Sequence, residues 1–199
     1  MPQENPGPAT SPIIRKNEAV GQLLSLFPAF YKSEYSHSEF IYYSRACEMM
    51  EKISFTPNDL SISSFLLAKY ADFPNFSAMA GIFLSAAINT HVGKNFTIDV
   101  KNYPEPISCI CMHNTKNVTI RGDLGGFQFA YMESGTVTIN GNVFGLWGSG
   151  MTGGTVQING NISIRVVKPV NCPEGGNVFQ FRAQLVKEGE VIRQARTIL

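Results

Sequence analysis

The stretch TVTINGNVFGLWGSGMTGGTVQINGN, residues 136–161, begins and ends with almost the same seven residues. TVTINGN starts at Thr136 and TVQINGN starts at Thr155, which gives a spacing of 155 − 136 = 19. A further copy, NVTIRGD, starts at Asn117 and precedes Thr136 by the same spacing, 136 − 117 = 19. A fixed period of about 20 residues is typical of proteins in which each repeat stacks on its neighbours.

Each copy contains a short segment in which valine and isoleucine alternate with threonine or glutamine. In a β-strand this alternation turns the aliphatic side chains to one face and the polar side chains to the other. Because the copies are equally spaced, parallel strands can stack with like residues in continuous columns. The sequence therefore predicts a parallel β-helix, or β-solenoid. Its columns are Val118, Val137 and Val156; Ile120, Ile139 and Ile158; Asp123, Asn142 and Asn161; and Met132 and Met151.

The glycines of the repeat lie beside the strands rather than within them. A chain corner at such a point needs a positive φ or leaves no room for a Cβ against the neighbouring coil. The alternative is a phosphate-binding loop, because residues 148–153 fit the pattern Gly-x-Gly-x-x-Gly. That segment leads into a strand and not into the helix that such a loop requires. We therefore predict five structural corners: Gly122, Gly135, Gly141, Gly154 and Gly160.

Two weaker copies extend the repeat at both ends. KNFTI at 94–98 echoes KNVTI at 116–120, and GGNVFQF at 175–181 echoes GGTVQI at 153–158; the spacings are 116 − 94 = 22 and 175 − 153 = 22. Together the copies predict a β-helix of about four coils at residues 93–181. The rest of the chain divides into a proline-rich arm at 1–12, a helical segment at 13–92, and a C-terminal tail at 182–199 that is either strand or helix.

Apolar spacing in the helical segment predicts four helices. Pro28 and Pro74 mark breaks between helices, since proline disrupts a helix interior. The apolar part of the last helix, residues 76–88, is thirteen residues long, short of the roughly 20 that span a bilayer. We expect this helix to be buried against the end or side of the β-helix. The alternative is membrane contact by residues 73–92.

Charge and cysteine content limit the partners and the compartment. Sixteen basic and fifteen acidic residues give a net charge of +1, which does not attract nucleic acid or an anionic membrane. The four cysteines follow no metal-site spacing and no signal peptide opens the sequence, so we expect an intracellular protein of the cytoplasm or an organelle matrix, not a secreted one. Cys109 and Cys111 alternate with Ile110 and are expected to pack on one side of a strand.

The residues that commonly perform catalysis are scattered. The three histidines, His37, His91 and His113, share no repeat column, as a metal site built on the coils would require. Only Asp123 and Glu133 are acidic between residues 114 and 160, too few for the carboxylate cluster of a carbohydrate-cleaving β-helix. The sequence therefore predicts no catalytic residue, no cofactor and no metal.

Aromatic residues are the remaining candidates for function. Phe127, Phe129 and Tyr131 alternate with polar or small residues, and if they point inward they form a third side of the core. Trp147 stands in the column of Gln128 and is predicted to point outward. There it either anchors an interface or packs under a helix or loop. The candidate interaction residues are Trp147, Phe127 and Tyr131.

A glycine-rich turn, a methionine, a Gly-Gly pair and an aliphatic strand follow one another at Gly145, Gly148, Gly150, Met151, Gly153, Gly154, Val156, Ile158, Gly160 and Asn161. This order resembles the glycine-repeat (GXGXG) β-helix found at the C-terminus of the glutamate synthase large subunit and in one of the subunits of formylmethanofuran dehydrogenase. In the preceding coil, Phe129, Tyr131 and Ser134 replace three of these glycines. The resemblance, which covers roughly residues 117–161, implies a right-handed β-helix that supports or docks other domains, which carry the catalysis.

These observations predict an α+β protein, in which an N-terminal helical segment precedes a single-stranded right-handed parallel β-helix of about four coils. The leading hypothesis is a non-catalytic structural or interaction subunit of a larger complex, with other protein subunits as partners and no nucleic acid. One alternative is an accessory subunit of a redox or group-transfer enzyme. Another is a self-assembling β-helix scaffold.

Overall fold

The computed structural model of the chain describes residues 12–32, 38–145, 148, 150–163, 178–181, 184–187 and 190–194. Within them, four α-helices precede nine β-strands. The helices are α1 (Pro12–Tyr31), α2 (Glu39–Met50), α3 (Pro57–Leu66) and α4 (Phe76–Thr90), with a 3-10 turn at Leu67–Tyr70 after α3. The strands are β1 (Asn95–Asp99), β2 (Asn117–Arg121), β3 (Thr136–Asn140), β4 (Val143–Phe144), β5 (Thr155–Ile158), β6 (Ile162–Ser163), β7 (Val178–Phe181), β8 (Gln184–Lys187) and β9 (Glu190–Gln194).

The strands form a parallel β-solenoid of about three turns. One sheet has the order β1-β2-β3-β5-β7, and the second has the order β4-β6-β8-β9. All pairs are parallel except β8 with β9, which are antiparallel. The predicted α+β architecture with a β-helix is confirmed. The described residues of the predicted tail form strands β8 and β9, which extend the second sheet.

The strand register of the first sheet matches the aliphatic columns predicted from the repeat. Val118 pairs with Val137 and Val137 with Val156, and the isoleucines two residues further on pair in the same way. All of these side chains are buried. Asparagines also stack along the coil: Asn159 donates its amide to the side chain of Asn140 at 2.8 Å, and Asn117 donates to Asn95 at 3.1 Å. Equal spacing therefore aligns both the core and a polar edge.

The predicted corner glycines lie where neighbouring coils approach closely. A Cβ on Gly141 or Gly160 would collide with a backbone carbonyl of the preceding coil. The other three have a positive φ, of 127°, 80° and 95° in chain order: Gly122, Gly135 and Gly154.

The last strand of the first sheet differs from the prediction by one residue. The spacing seen in the sequence would place Val178 opposite Val156, but the structure pairs Val156 with Phe179 and Ile158 with Phe181, a spacing of 179 − 156 = 23. Side chains alternate along a strand, so a shift of one residue exchanges the two faces. The observed register thus pairs two phenylalanines with the aliphatic residues of β5 and the glutamine between them with Gln157.

Pro28 lies inside α1, so the prediction that it marks a break is wrong. A proline in a helix leaves the carbonyl four residues earlier without its usual N–H donor. In this structure the Tyr70 hydroxyl donates to that carbonyl, the one of Leu24, at 2.9 Å. A side chain from the 3-10 turn thus replaces the missing helical bond, and α1 continues past the proline to Tyr31.

Helix α4 packs against the first coil, as predicted. Ser77, Gly81, Ser85 and Asn89 recur every four residues and therefore share one face of the helix. The Ser77 hydroxyl donates to the Pro106 carbonyl at 2.6 Å and accepts from the Ser108 N–H at 3.0 Å. Further along the helix, Ser85 and Asn89 bond to the backbone of residues 109 and 112 in the same way.

Helix α3 lies against the first strand of the solenoid. The Asp99 N–H donates to the Ser64 hydroxyl at 2.9 Å, and the Tyr103 hydroxyl donates to the Ser64 carbonyl at 2.8 Å. Together α3 and α4 form a helical cap on the first coil. No helix in the described part of the chain is both long and apolar enough to cross a membrane.

Candidate interaction surface

The third side of the solenoid is built from an unusual backbone. Six non-glycine residues have φ between 51° and 61°: Cys109, Cys111, His113, Phe127, Phe129 and Tyr131. They occupy alternate positions in two successive coils, so each is followed or preceded by a residue of ordinary conformation. A left-handed conformation costs a non-glycine residue on the order of 1–3 kcal/mol and persists only where its surroundings hold it.

Hydrogen bonds between the coils hold these segments in place. The Cys109 N–H donates to the Gly126 carbonyl at 3.0 Å, and the His113 N–H donates to the Ala130 carbonyl at 2.8 Å. In the third coil the position equivalent to Tyr131 is Gly150, with φ of 68°. Gly150 therefore occupies a position that has a positive φ, and the first two coils meet the same need with larger residues.

Cys109 and Cys111 are packed in the core, as predicted, but their segment is not a strand, because both residues have a left-handed φ and Ile110 between them is buried as well. Phe129 is buried, but the side chains of Phe127 and Tyr131 remain 52% and 37% exposed. The simple alternation of a strand fails because every second residue is left-handed.

Gln128 shows the same reversal. The alternation of a strand predicts that it faces outward with Trp147, but it is buried and donates its amide to the carbonyls of Gly125 and, at 2.8 Å, Gly145. Trp147 itself lies outside the described residues.

Tyr131 belongs to an aromatic cluster that joins the helices to the solenoid. The imidazole of His113 stacks on the Tyr131 ring, with centroids 5.2 Å apart and planes 14° apart. Tyr43 of α2 lies against His113 at 5.1 Å, and Phe40 of α2 meets Tyr131 edge to face at 4.9 Å. We call Phe40, Tyr43, His113 and Tyr131 the aromatic patch. Phe40 is 41% exposed, so the patch opens to solvent there.

Two carboxylates border the aromatic patch. Glu133 Oε1 lies 3.9 Å from His113 Nδ1, and its side chain is 59% exposed. Burial is the main cause of the raised pKa of Tyr43, and the Glu133 carboxylate raises it further. On the other side, burial raises the pKa of the Cys109 thiol to about 12, with a contribution from Glu39. Of these two carboxylates, Glu133 is the one in contact with a ring of the patch.

The sequence identified Tyr131 but missed Phe40 and His113. His113 carries a signal in retrospect, because it stands two residues after Cys111 in the left-handed series, as Tyr131 does after Phe129. Phe40 carries none, since its contact with coil residues far along the chain depends on how α2 docks.

The other chemical groups of the described residues favour no covalent or metal chemistry. Burial raises the pKa of the thiols of Cys47, Cys109 and Cys111, so they remain protonated at neutral pH and are weak nucleophiles. In the same part of the chain, no three His, Cys, Asp or Glu residues lie close enough to hold a metal ion.

A groove of about 760 Å³ lies away from the patch, between α1 and the connection from α2 to α3. Two of its polar residues, Thr56 and Asp59, are occupied in capping α3, with their side chains 2.7 Å apart. We therefore take the aromatic patch, where two exposed rings meet, as the candidate surface. No protein-family model, curated protein or solved structure matches the chain.

Proposed function

We propose that this protein is a non-catalytic interaction subunit of a larger protein complex, and that it binds its partner through the aromatic patch. The observation that carries the proposal is the exposed pair Phe40 and Tyr131, whose rings meet where α2 lies against the solenoid. Aromatic residues that are anchored by packing yet open to solvent are typical centres of protein interfaces.

Rigidity supports this use of the patch. Tyr131 is held by the stacked His113 ring and by a backbone locked between two coils, while Phe40 stands on the first turn of α2. A partner would therefore lose little free energy in ordering these side chains.

An accessory subunit of a redox or group-transfer enzyme is the second candidate. The backbone favours this candidate. Gly150 has a positive φ, and so do the two aromatic residues that align with glycines of the third coil. A positive φ is a physical reason for the alternating glycines of the glycine-repeat β-helix. On this proposal the solenoid is right-handed, has about four coils and works inside the cell. Flavin, an iron–sulfur cluster or a pterin in the purified complex would support this candidate.

A self-assembling scaffold is the third possibility, and the helical cap opposes it. End-to-end stacking requires the first coil of one copy to be open to another, whereas α3 and α4 bond to that coil through Ser64, Ser77 and Ser85. Filaments in electron micrographs of the purified protein would overturn this argument.

The test is native mass spectrometry of the protein isolated at its natural abundance. We expect a defined complex with at least one other protein, and we expect the variant carrying Phe40→Ala and Tyr131→Ala to lose it. Phe65→Ala, which removes an exposed aromatic side chain from α3, is the matched control and should retain the complex. A free monomer without a co-purifying partner contradicts the proposal.

A further inference from the structure

The carboxylates at the aromatic patch lack a strong basic partner. Among the described residues, the one ion pair within 4.0 Å is that between His113 and Glu133. No lysine or arginine of the described chain pairs with Glu133, and none pairs with Glu39, the exposed residue that precedes Phe40. Glu133, whose side chain is 59% exposed, therefore has carboxylate oxygens open to a cation from elsewhere.

The ring of Tyr131 is kept in place at a conformational cost. Its φ is 56°, and a Cβ on the equivalent Gly150 of the next coil would lie 2.6 Å from the edge carbons of this ring. The glycine thus makes space for the tyrosine, and His113 covers the ring from the other coil. Strained residues that are supported in this way are more common at binding sites than elsewhere.

Phe40 supplies the open part of the patch. Its ring touches Tyr131 and lies 5.9 Å from His113, which in turn lies beside Glu133. The next residue, Ile41, is 58% exposed. An exposed ring and a carboxylate therefore border the same imidazole, and an exposed aliphatic residue follows the ring in α2.

We propose that the aromatic patch binds an arginine side chain presented by a partner protein; the proposal rests on the interaction function proposed above. The guanidinium group lies on the Phe40 ring and donates hydrogen bonds to the Glu133 carboxylate, while Ile41 contacts the methylene stem. Arginine fits better than lysine, because its planar group stacks on a ring and bonds to a carboxylate through two N–H groups at once. Charge complementarity thus identifies the chemistry of the partner.

The test uses a library of random twelve-residue peptides displayed on phage and selected on the full chain. We expect selected peptides to be enriched in arginine. The best peptide is then resynthesised with citrulline in place of that arginine, which removes the charge and keeps the shape. Binding should weaken about 10-fold or more, the usual effect of losing a hydrogen-bonded charge pair.

Variants locate the site. Glu133→Gln and Phe40→Ala should each weaken the arginine peptide about 5-fold or more, and Glu133→Gln, which changes a side chain that is 59% exposed, should not change folding. Glu105→Gln, which removes an exposed carboxylate in the loop between β1 and β2, should leave binding within about 2-fold. Peptides without arginine enrichment, or equal binding to Glu133→Gln, overturn the proposal.

A second copy of the chain is the competing occupant. We expect sedimentation of the protein at several concentrations to show no self-association through the patch. A self-association that Phe40→Ala abolishes would overturn the arginine site. The outcomes separate the two proposals. A natural complex that survives Glu133→Gln refutes the arginine site alone, whereas a free monomer refutes the interaction function.

Discussion

Gly81 provides the sharpest test of how the helices meet the solenoid. It lies on the face of α4 that runs along the first coil, between Ser77 and Ser85. A Cβ at this position would overlap the Ser108 carbonyl oxygen and lie 2.9 Å from the Ser108 carbonyl carbon. Because the obstacle is backbone, Gly81→Ala must push α4 away from the coil.

The expected loss follows from the contacts. Overpacking by one methyl group costs about 1–3 kcal/mol, and a displaced helix also weakens the four hydrogen bonds that Ser77 and Ser85 make with the coil, each worth about 0.5–1.5 kcal/mol. Alanine recovers about 0.5–1 kcal/mol because it favours a helix more than glycine does. We expect the free energy of unfolding to fall by about 3 kcal/mol and the melting temperature by about 6–12 °C.

Gly21→Ala is the matched control. Gly21 lies in α1, and a Cβ there would meet no atom within 4 Å. The control should raise the free energy of unfolding by about 0.5–1 kcal/mol. Urea titration and calorimetry of both variants measure the difference. If Gly81→Ala stabilises the protein as much as Gly21→Ala does, α4 does not pack on the first coil and the description of the helical cap is wrong.

Three further predictions concern strain, capping and pH. Phe127→Gly should change the free energy of unfolding by less than about 1 kcal/mol, because the ring is half exposed and glycine relieves the positive φ. Phe129→Gly should lower the free energy of unfolding by about 2–4 kcal/mol, because that ring is buried. Tyr70→Phe, which removes the hydroxyl bond to α1, should lower it by about 1 kcal/mol, and equal stability would show that the bond contributes nothing. Burial raises the pKa of Cys109 to about 12 and raises that of Cys111, whereas unfolded cysteines titrate near 8.5. The free energy of unfolding should therefore be constant below a pH of about 8.5 and decline as the pH rises toward 12, by about 1.4 kcal/mol per pH unit per thiol. When both residues are replaced with alanine, urea titrations at pH of about 8 to 10 should show a smaller dependence of this free energy on pH.

The repeat made much of the fold and part of the site predictable. The constant step between copies predicted the stacking of the aliphatic columns, and the structure pairs those residues. The sequence also selected Tyr131 and Phe127 as candidates. Strand alternation would place them inside the core with Phe129, whereas the structure buries Phe129 and leaves both of them partly exposed.

The amino-acid sequence by itself determined the parallel solenoid, because equal spacing of short aliphatic triplets permits only one stacking in which like residues meet. Tertiary structure decided the rest. Left-handed φ at Tyr131 exists because hydrogen bonds from the neighbouring coil hold that segment, and no local pattern encodes such a bond. His113 and Tyr131 meet because successive coils stack, whereas Phe40 reaches them only because α2 docks on the coils, a contact between residues distant in the chain.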